Sequence, residues 1–414
     1  MRAGPIIALV PICLLVAVAP AAAGEIVVSP AGPVRSLAEA VRLASPGERI
    51  LVRSGTYEEG PILVDKRLEI VGEGRPVIHG RGDYTIILVT ADSVVVRGLV
   101  IAHVEPSYVE DRAGIKFDHV RGCVLEDSEI RDGFFGIYAA QSEGCRFARN
   151  LVNGPHRREG ASGNAIHLWN CKHMVLQDNR VSGHRDGLYF EFVVATLIEG
   201  NVSTENARYG LHFMFSDSCT YRENRFVRNG AGIAVMYTRR IVVERNQFED
   251  NRGPAAYGLL LKEISDSRLA DNVFRANTVG LLLEGGGRND VRGNRFIDNG
   301  WALKLMANSI ENRFEGNSFA GNSFDLATNS QSNYSTFSGN WWDRYDGYDL
   351  NRDGRGDVPF RPVRLFSLLV MQNDPAMLLL RSFFVDLLDA AERVLPVLTP
   401  ETLVDSAPLM ERPK

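Results

Sequence analysis

The chain has no basic excess: 46 Lys and Arg stand against 51 Asp and Glu, a formal net charge of -5. A nucleic-acid binder would carry a basic footprint, and none is present. Long apolar runs are also missing. The best candidate, Ile6–Val18, is interrupted at Pro11 and is short for a membrane span. The repeats described below lack the Leu-x-x-Leu-x-Leu frame of a leucine-rich repeat, and no paired carboxylates fall in register for acid–base work. Cysteine is sparse, five in 414 residues. With 45% hydrophobic and 23% charged residues, the chain can still bury a large core and fits neither a disordered nor a collagenous class.

The N-terminus has the pattern of an export signal. Arg2 precedes the apolar stretch, and Ala21-Ala22-Ala23 suits cleavage near Gly24. The expected destination is the periplasm, with residues 1–23 removed. Cys13 leaves with the signal. Cys123, Cys145, Cys171 and Cys219 remain, and an exported protein can pair such residues.

What is abundant is a repeat. Asn is followed two residues later by an apolar side chain at Asn150, Asn179, Asn224, Asn246, Asn272, Asn294, Asn317 and Asn340, and less well at Asn201. Spacings after Asn179 are 22, 23, 22, 26, 22, 23 and 23 residues. A second marker, Gly followed by Ile or Leu, runs in phase at Gly114, Gly136, Gly187, Gly210, Gly232, Gly258 and Gly280. Units of this length, with short alternating runs and Asn/Gly turns, predict an all-β fold, a right-handed parallel β-helix. Its coils stack about 4.8 Å apart, so equivalent residues form ladders. Asn would hold the turns, and Phe226, Phe248, Phe274, Phe296 and Phe319 would stack inside. Cys123 and Cys145 fall at an interior position shared with aliphatics, although a bridge between those two stays open.

The remaining organisation follows in chain order. Residues 24–92 form a cap and irregular first coils, in which Ser36–Leu43 is helical with a Ser N-cap. Regular coils run over 93–345. A Gly/Asp-rich exit covers 346–373, an amphipathic helix is expected over 374–396, and 397–414 reads as a loose tail. That helix would cap the solenoid's end or lie against a partner. Two coils are lengthened, at Pro155–Ser162 and Gly253–Tyr257, where solenoids usually place binding loops.

Strand alternation assigns a chemistry to one face. With Ile137, Ile166, Leu188, Leu211 and Ile233 pointing in, one outward row is Lys116, Tyr138, His167, Tyr189, His212, Ala234 and Leu260. The next is Asp118, Ala140, Trp169, Glu191, Met214, Met236 and Lys262. His212, Met214 and Met236, with His167 and Glu191 nearby, are candidate copper ligands. Imidazole and thioether suit copper, and thioether suits Cu(I). A plain docking surface is the competing reading, since Met and aromatics are enriched at interfaces. A weaker site is the Asp349, Asn351, Asp353, Asp357 series. It resembles the first half of a calcium loop but has Phe360 where the twelfth-position Glu belongs. An Asx-rich turn explains it equally. The enzyme alternative is a β-helical polysaccharide lyase or epimerase, for which His184-Arg185-Asp186 is the best constellation.

Four segments together resemble one family: SLAEAVRLASPGERILVRSGTYEEG at 36–60, Gly-Leu-His-Phe-Met-Phe at 210–215, WWDRYDGYDLNRDGRGDVPF at 341–360 and MLLLRSFFVDLLDAAERVLP at 377–396. The chain is similar to NosD, the periplasmic accessory proteins of nitrous oxide reductase maturation, over essentially its whole mature length. The resemblance implies a non-catalytic role. The family works with an ABC transporter, through its ATPase and membrane permease subunits, and with a copper chaperone lipoprotein, supplying copper to the reductase. It implies no ligand set. In that setting the C-terminal helix becomes a candidate for docking on the permease, close to the membrane.

Overall fold

Short alternating runs closed by Asn and Gly give strands mostly of three to six residues, with Ala231–Arg239 and Tyr257–Ser265 reaching nine, and each coil supplies one strand to each of three parallel sheets. The sheets hold 14, 12 and 13 strands, which makes the molecule a parallel β-helix. The computed structural model describes residues 24–107, 109–155, 160, 162–253, 256–329, 334–380, 382–394 and 403–413. The expected leader, His156 with the rest of 156–159, and 395–402 lie outside the described residues.

Register produces the core. Phe226, Phe248, Phe274, Phe296 and Phe319 are successive partners. Their rings stack at 5.6, 4.8, 4.8 and 4.9 Å, and Trp342 closes the column 4.1 Å from Phe319. The Asn ladder forms as the repeat demands. Asn224 Oδ1 accepts from the backbone N–H and Nδ2 of Asn201 at 2.9 and 3.0 Å. Its own Nδ2 donates to the Ile198 carbonyl and to Asn246 Oδ1 at 2.8 and 3.0 Å. Every buried turn amide thereby finds an acceptor. A second Asn ladder lies five residues on, at Asn206, Asn229, Asn251, Asn277, Asn299 and Asn322. The first pattern conceals it in the sequence. The Gly marker has a steric cause: a Cβ on Gly210 would meet the Gly232 carbonyl oxygen at 2.7 Å and Phe226 Cδ1 at 2.8 Å.

The ends are closed from within the chain. Helix α1 (Leu37–Leu43) has Ser36 as its N-cap, accepting from Glu39 N at 3.1 Å, and buries Leu37, Ala40 and Val41. At the other end the expected loose tail is a plug over residues 403–410. Asp405 bridges to Phe337 and Phe360, and Leu409 to Arg355. The fully buried Asp405 carboxylate accepts from Gly339 N, Asn340 N, Asn340 Nδ2 and Trp342 Nε1 at 2.9–3.1 Å. It is the last rung of the Asn ladder. A carboxylate suits that place because it only accepts, and no rung beyond it asks for a donor.

The C-terminal helical region also departs from expectation. Helix α2 (Leu365–Gln372) begins inside the stretch read as an exit segment, a 3₁₀ turn spans Asp374–Leu379, and α3 spans Phe383–Val394. These helices do not cap the solenoid's end. They form a strap along the outer face of the 12-stranded sheet, where Phe366, Val370 and Val385 join Ala234, Leu260 and Trp301 in an apolar cluster separate from the core. Cys123, Cys145, Cys171 and Cys219 are buried free thiols, and Cys123 and Cys145 are interior as their ladder position suggests. The bridge left open between Cys123 and Cys145 does not form.

Candidate metal centre

The outer face of the 12-stranded sheet carries both rows that strand alternation places there. Tyr138, His167, Tyr189, His212, Ala234 and Leu260 are successive register partners. So are Ala140, Trp169, Glu191, Met214, Met236 and Lys262. Their exposure differs from the expectation of one open patch. His212 is only 5% exposed, and Ala234 and Leu260 are buried with the strap cluster. Outward from the sheet is therefore not outward to water, because side chains and helices distant in sequence cover part of the row.

His212 lies against Tyr189, with ring centroids 5.1 Å apart, and Tyr209, 4.9 Å apart. Neither Nδ1 nor Nε2 has a hydrogen-bond partner. A buried polar group without a partner is expensive to keep. Burial, with Arg208 and Arg185 nearby, lowers its pKa to about 4, so the ring is neutral at pH 7 and retains a lone pair for a metal. Two residues on along the same strand is Met214, flanked in register by Glu191 on one side and Met236 on the other. His167 is a different case. It is stacked on Tyr138 at 4.5 Å and lies 4.6 Å from Tyr189. Its Nδ1 lies 3.1 Å from Asn164 Nδ2, and Asn164 Oδ1 accepts from Arg185 at 3.2 Å. That contact fixes the Asn164 amide, so Asn164 donates and His167 Nδ1 accepts. Burial lowers the His167 pKa to about 3. His167 thus has one nitrogen occupied, whereas His212 has both available. Glu191 accepts from the Tyr189 hydroxyl at 3.5 Å.

Each side chain of the acidic series accepts from the loop's own backbone. Asp349 accepts from Arg352 N at 2.6 Å and Gly354 N at 2.8 Å, Asn351 from Asp353 N at 3.0 Å, Asp353 from Arg355 N at 2.8 Å, and Asp357 from Leu350 N at 2.7 Å. This is the Asx-turn alternative, and nothing in it supports calcium. Among the described residues no group of three or more His, Cys, Asp or Glu is arranged to hold a metal ion. Asp186, of the enzyme alternative, is buried against Arg185 at 3.2 Å, and burial raises its pKa.

A further feature was hidden in the sequence. Phe192, Phe215 and Tyr237 directly follow Glu191, Met214 and Met236, and they stack at 5.6 and 5.2 Å on the exposed turn. The signal was an aromatic immediately after each residue of the second outward row.

A family model described as "Periplasmic copper-binding protein (NosD)" matches residues 152–347, the coils that carry every member of this cluster. A "Probable ABC transporter binding protein NosD" of Pseudomonas aeruginosa is 29% identical over 432 residues, covering 100% of this chain and 96% of the relative. The chain is similar to the NosD family. A protein of the same description from Stutzerimonas stutzeri is 27% identical, covering 87% of this chain and 86% of its own length. Two solved structures share the fold of this chain. The mannuronan C-5 epimerase A-module of Azotobacter vinelandii covers 71% of it (91% of that chain) at a TM-score of 0.61 and 14% identity. The catalytic unit of a GH87 α-1,3-glucanase from Streptomyces thermodiastaticus covers 80% (70% of that chain) at 0.62 and 13%. At such identities the likeness concerns the fold alone. Among the described residues no helix is long and apolar enough to cross a membrane.

Proposed function

We propose that this chain is an exported, non-catalytic copper-handling accessory protein. It works with an ABC transporter and a copper chaperone to supply copper for the metal centres of nitrous oxide reductase. Copper is its cargo, held transiently by His212 with Met214 and Met236. The observation that carries this reading is His212, a neutral buried imidazole with both nitrogens unpartnered beside two thioethers. That donor set suits Cu(I), and one imidazole with thioethers suits hand-over better than permanent storage. Glu191 and His167 lie on adjoining positions and are secondary candidates. The description of the matching family and the names of the two relatives support copper and a transporter respectively.

Titrating Cu(I) into the mature protein against a chromophoric chelator tests the site. The wild-type chain should bind, and His212→Ala/Met214→Ala should bind at least about 100-fold more weakly, a loss of about 2.7 kcal/mol. Equal affinity in the double variant would place the copper elsewhere.

The strap gives the transporter contact. Its outer side exposes Leu378 at 89%, Phe383 at 79% and Leu387 at 55%, an apolar patch of the kind that marks an interaction site. It is the proposed docking face for the permease near the membrane. Deleting residues 374–414 would also remove Asp405, so a point variant is the cleaner probe. Leu378→Glu/Phe383→Glu should abolish co-purification with the transporter and leave the melting curve unchanged. Retained association would remove the strap from the interface.

A further inference from the structure

The stack of Phe192, Phe215 and Tyr237 has a cost that the fold does not require. All three lie in the left-handed region, at φ 56°, 50° and 55°, which bulky side chains rarely adopt. The preceding rungs of this turn carry Gln141 and Asn170, and the next carries Glu263, also left-handed. Polar residues thus serve the turn. Among the described non-glycine residues with positive φ, these three are the Phe and Tyr members, and they sit on consecutive rungs of one turn. Each is 44–46% exposed. Backbone strain and exposure of large apolar surface coincide here and nowhere else along the described coils.

The geometry narrows the occupant. The rings lie face to face, 16° and 11° from parallel, so their faces are used on one another and their edges point out. A sugar stacks on an open ring face, which this column offers only at its two ends. An anionic lipid surface needs unpaired cations, but the rim's charges are matched. Arg239 and Arg240 share Asp217 at 3.1 and 3.5 Å, Lys262 pairs with Glu284 at 3.2 Å, and Glu263 on the next rung of the turn brings the count to three carboxylates against three cations. An aromatic centre inside a polar rim of paired charges is the anatomy of a protein interface. Its position supplies the rest. Each stack residue immediately follows a member of the row that contains Met214 and Met236. A protein seated on the ring edges would hold its own metal ligands beside those thioethers, as ligand exchange requires.

We infer that Phe192, Phe215 and Tyr237 form the docking stripe for the protein that donates Cu(I) to this chain. This rests on the copper reading above and adds the surface through which the metal arrives. The test is Phe192→Asn/Phe215→Asn/Tyr237→Asn. Asn already occupies this turn at Asn170 with φ 50°, so the variant relieves strain rather than adding it. The probe is the Cu(I)-loaded soluble domain of the copper chaperone, titrated calorimetrically into each protein. The variant should bind the chaperone at least tenfold more weakly, while the free chain's affinity for Cu(I) from a small chelator stays within twofold of wild type. Unchanged chaperone affinity overturns the inference. So does a loss confined to mannuronan oligosaccharide, to anionic vesicles or to the copper-free reductase. If wild type binds no Cu(I) but the variant still loses the chaperone, the copper site assignment fails and the docking stripe stands.

Discussion

Asp405→Ala should lower the unfolding free energy by about 4 kcal/mol, read from urea unfolding followed by circular dichroism. The residue is fully buried, and its loss strands five donors: Gly339 N, Asn340 N, Asn340 Nδ2, Trp342 Nε1 and, in its own tail, Ala407 N. A buried donor left unmade costs about 1–3 kcal/mol, and charge-assisted bonds lie in the upper part of that range. Partial relaxation and entering water keep the total below the simple sum. The effect also propagates. Each coil of a solenoid is held mainly by its neighbours, so an unsealed last coil exposes Phe337 and Trp342 and lets fraying start there. Asp405→Asn should recover only part of the loss, because one of its two groups becomes a donor facing donors. A change under about 1 kcal/mol in the alanine variant would mean that the tail merely rests on the solenoid.

Asn246→Ala should lower stability by about 3 kcal/mol in the same measurement. Asn246 Oδ1 accepts from Asn224 N at 2.9 Å and Asn224 Nδ2 at 3.0 Å. Its Nδ2 donates to the Tyr221 carbonyl at 2.9 Å and to Asn272 Oδ1 at 3.0 Å. Alanine leaves two buried donors and one carbonyl unmatched in the middle of the stack. Asn246→Asp, which fits sterically, should be no better. A mid-ladder rung must donate as well as accept, and a carboxylate beside the Tyr221 and Glu244 carbonyls is repelled by both. The pair of experiments separates two chemically similar rungs: Asp belongs at the end of the ladder and Asn in its interior. Equal tolerance of Asp at both places would show that the ladder's polarity carries no weight.

These residues also show where sequence reasoning reaches and where it stops. Asn224, Phe226 and Gly210 recur at a fixed spacing because stacked coils impose translational equivalence. One coil's environment predicts the next, so the ladders can be read from the chain. His212, Met214 and Met236 were located for the same reason, since alternation along a strand is local. Their burial was not legible. His212 is covered by Tyr209 from its own strand's start, and Ala234 and Leu260 by a strap more than a hundred residues away. Asp405 offered no signal at all. A lone Asp in a polar tail has no repeat partner, and only the position of the last coil gives it four donors to meet. The acidic loop at 349–357 left two readings open in the sequence, a cation loop and an Asx-rich turn. Its carboxylates match a cation loop by spacing, but their oxygens turn inward to backbone amides.

The sequence by itself determined the solenoid, its register and which side chains leave the 12-stranded sheet on its outer side. Each follows from a local period repeated many times. Tertiary structure alone decided which of those side chains meet water, where the C-terminal helices lie, and what closes the last coil. Those outcomes depend on contacts made once, between segments that share no period, and a single occurrence leaves no pattern to read. His212 stands at the junction of the two. Its place on the face was written in the repeat, whereas its unpartnered burial, the property that makes it a ligand candidate, came from the fold.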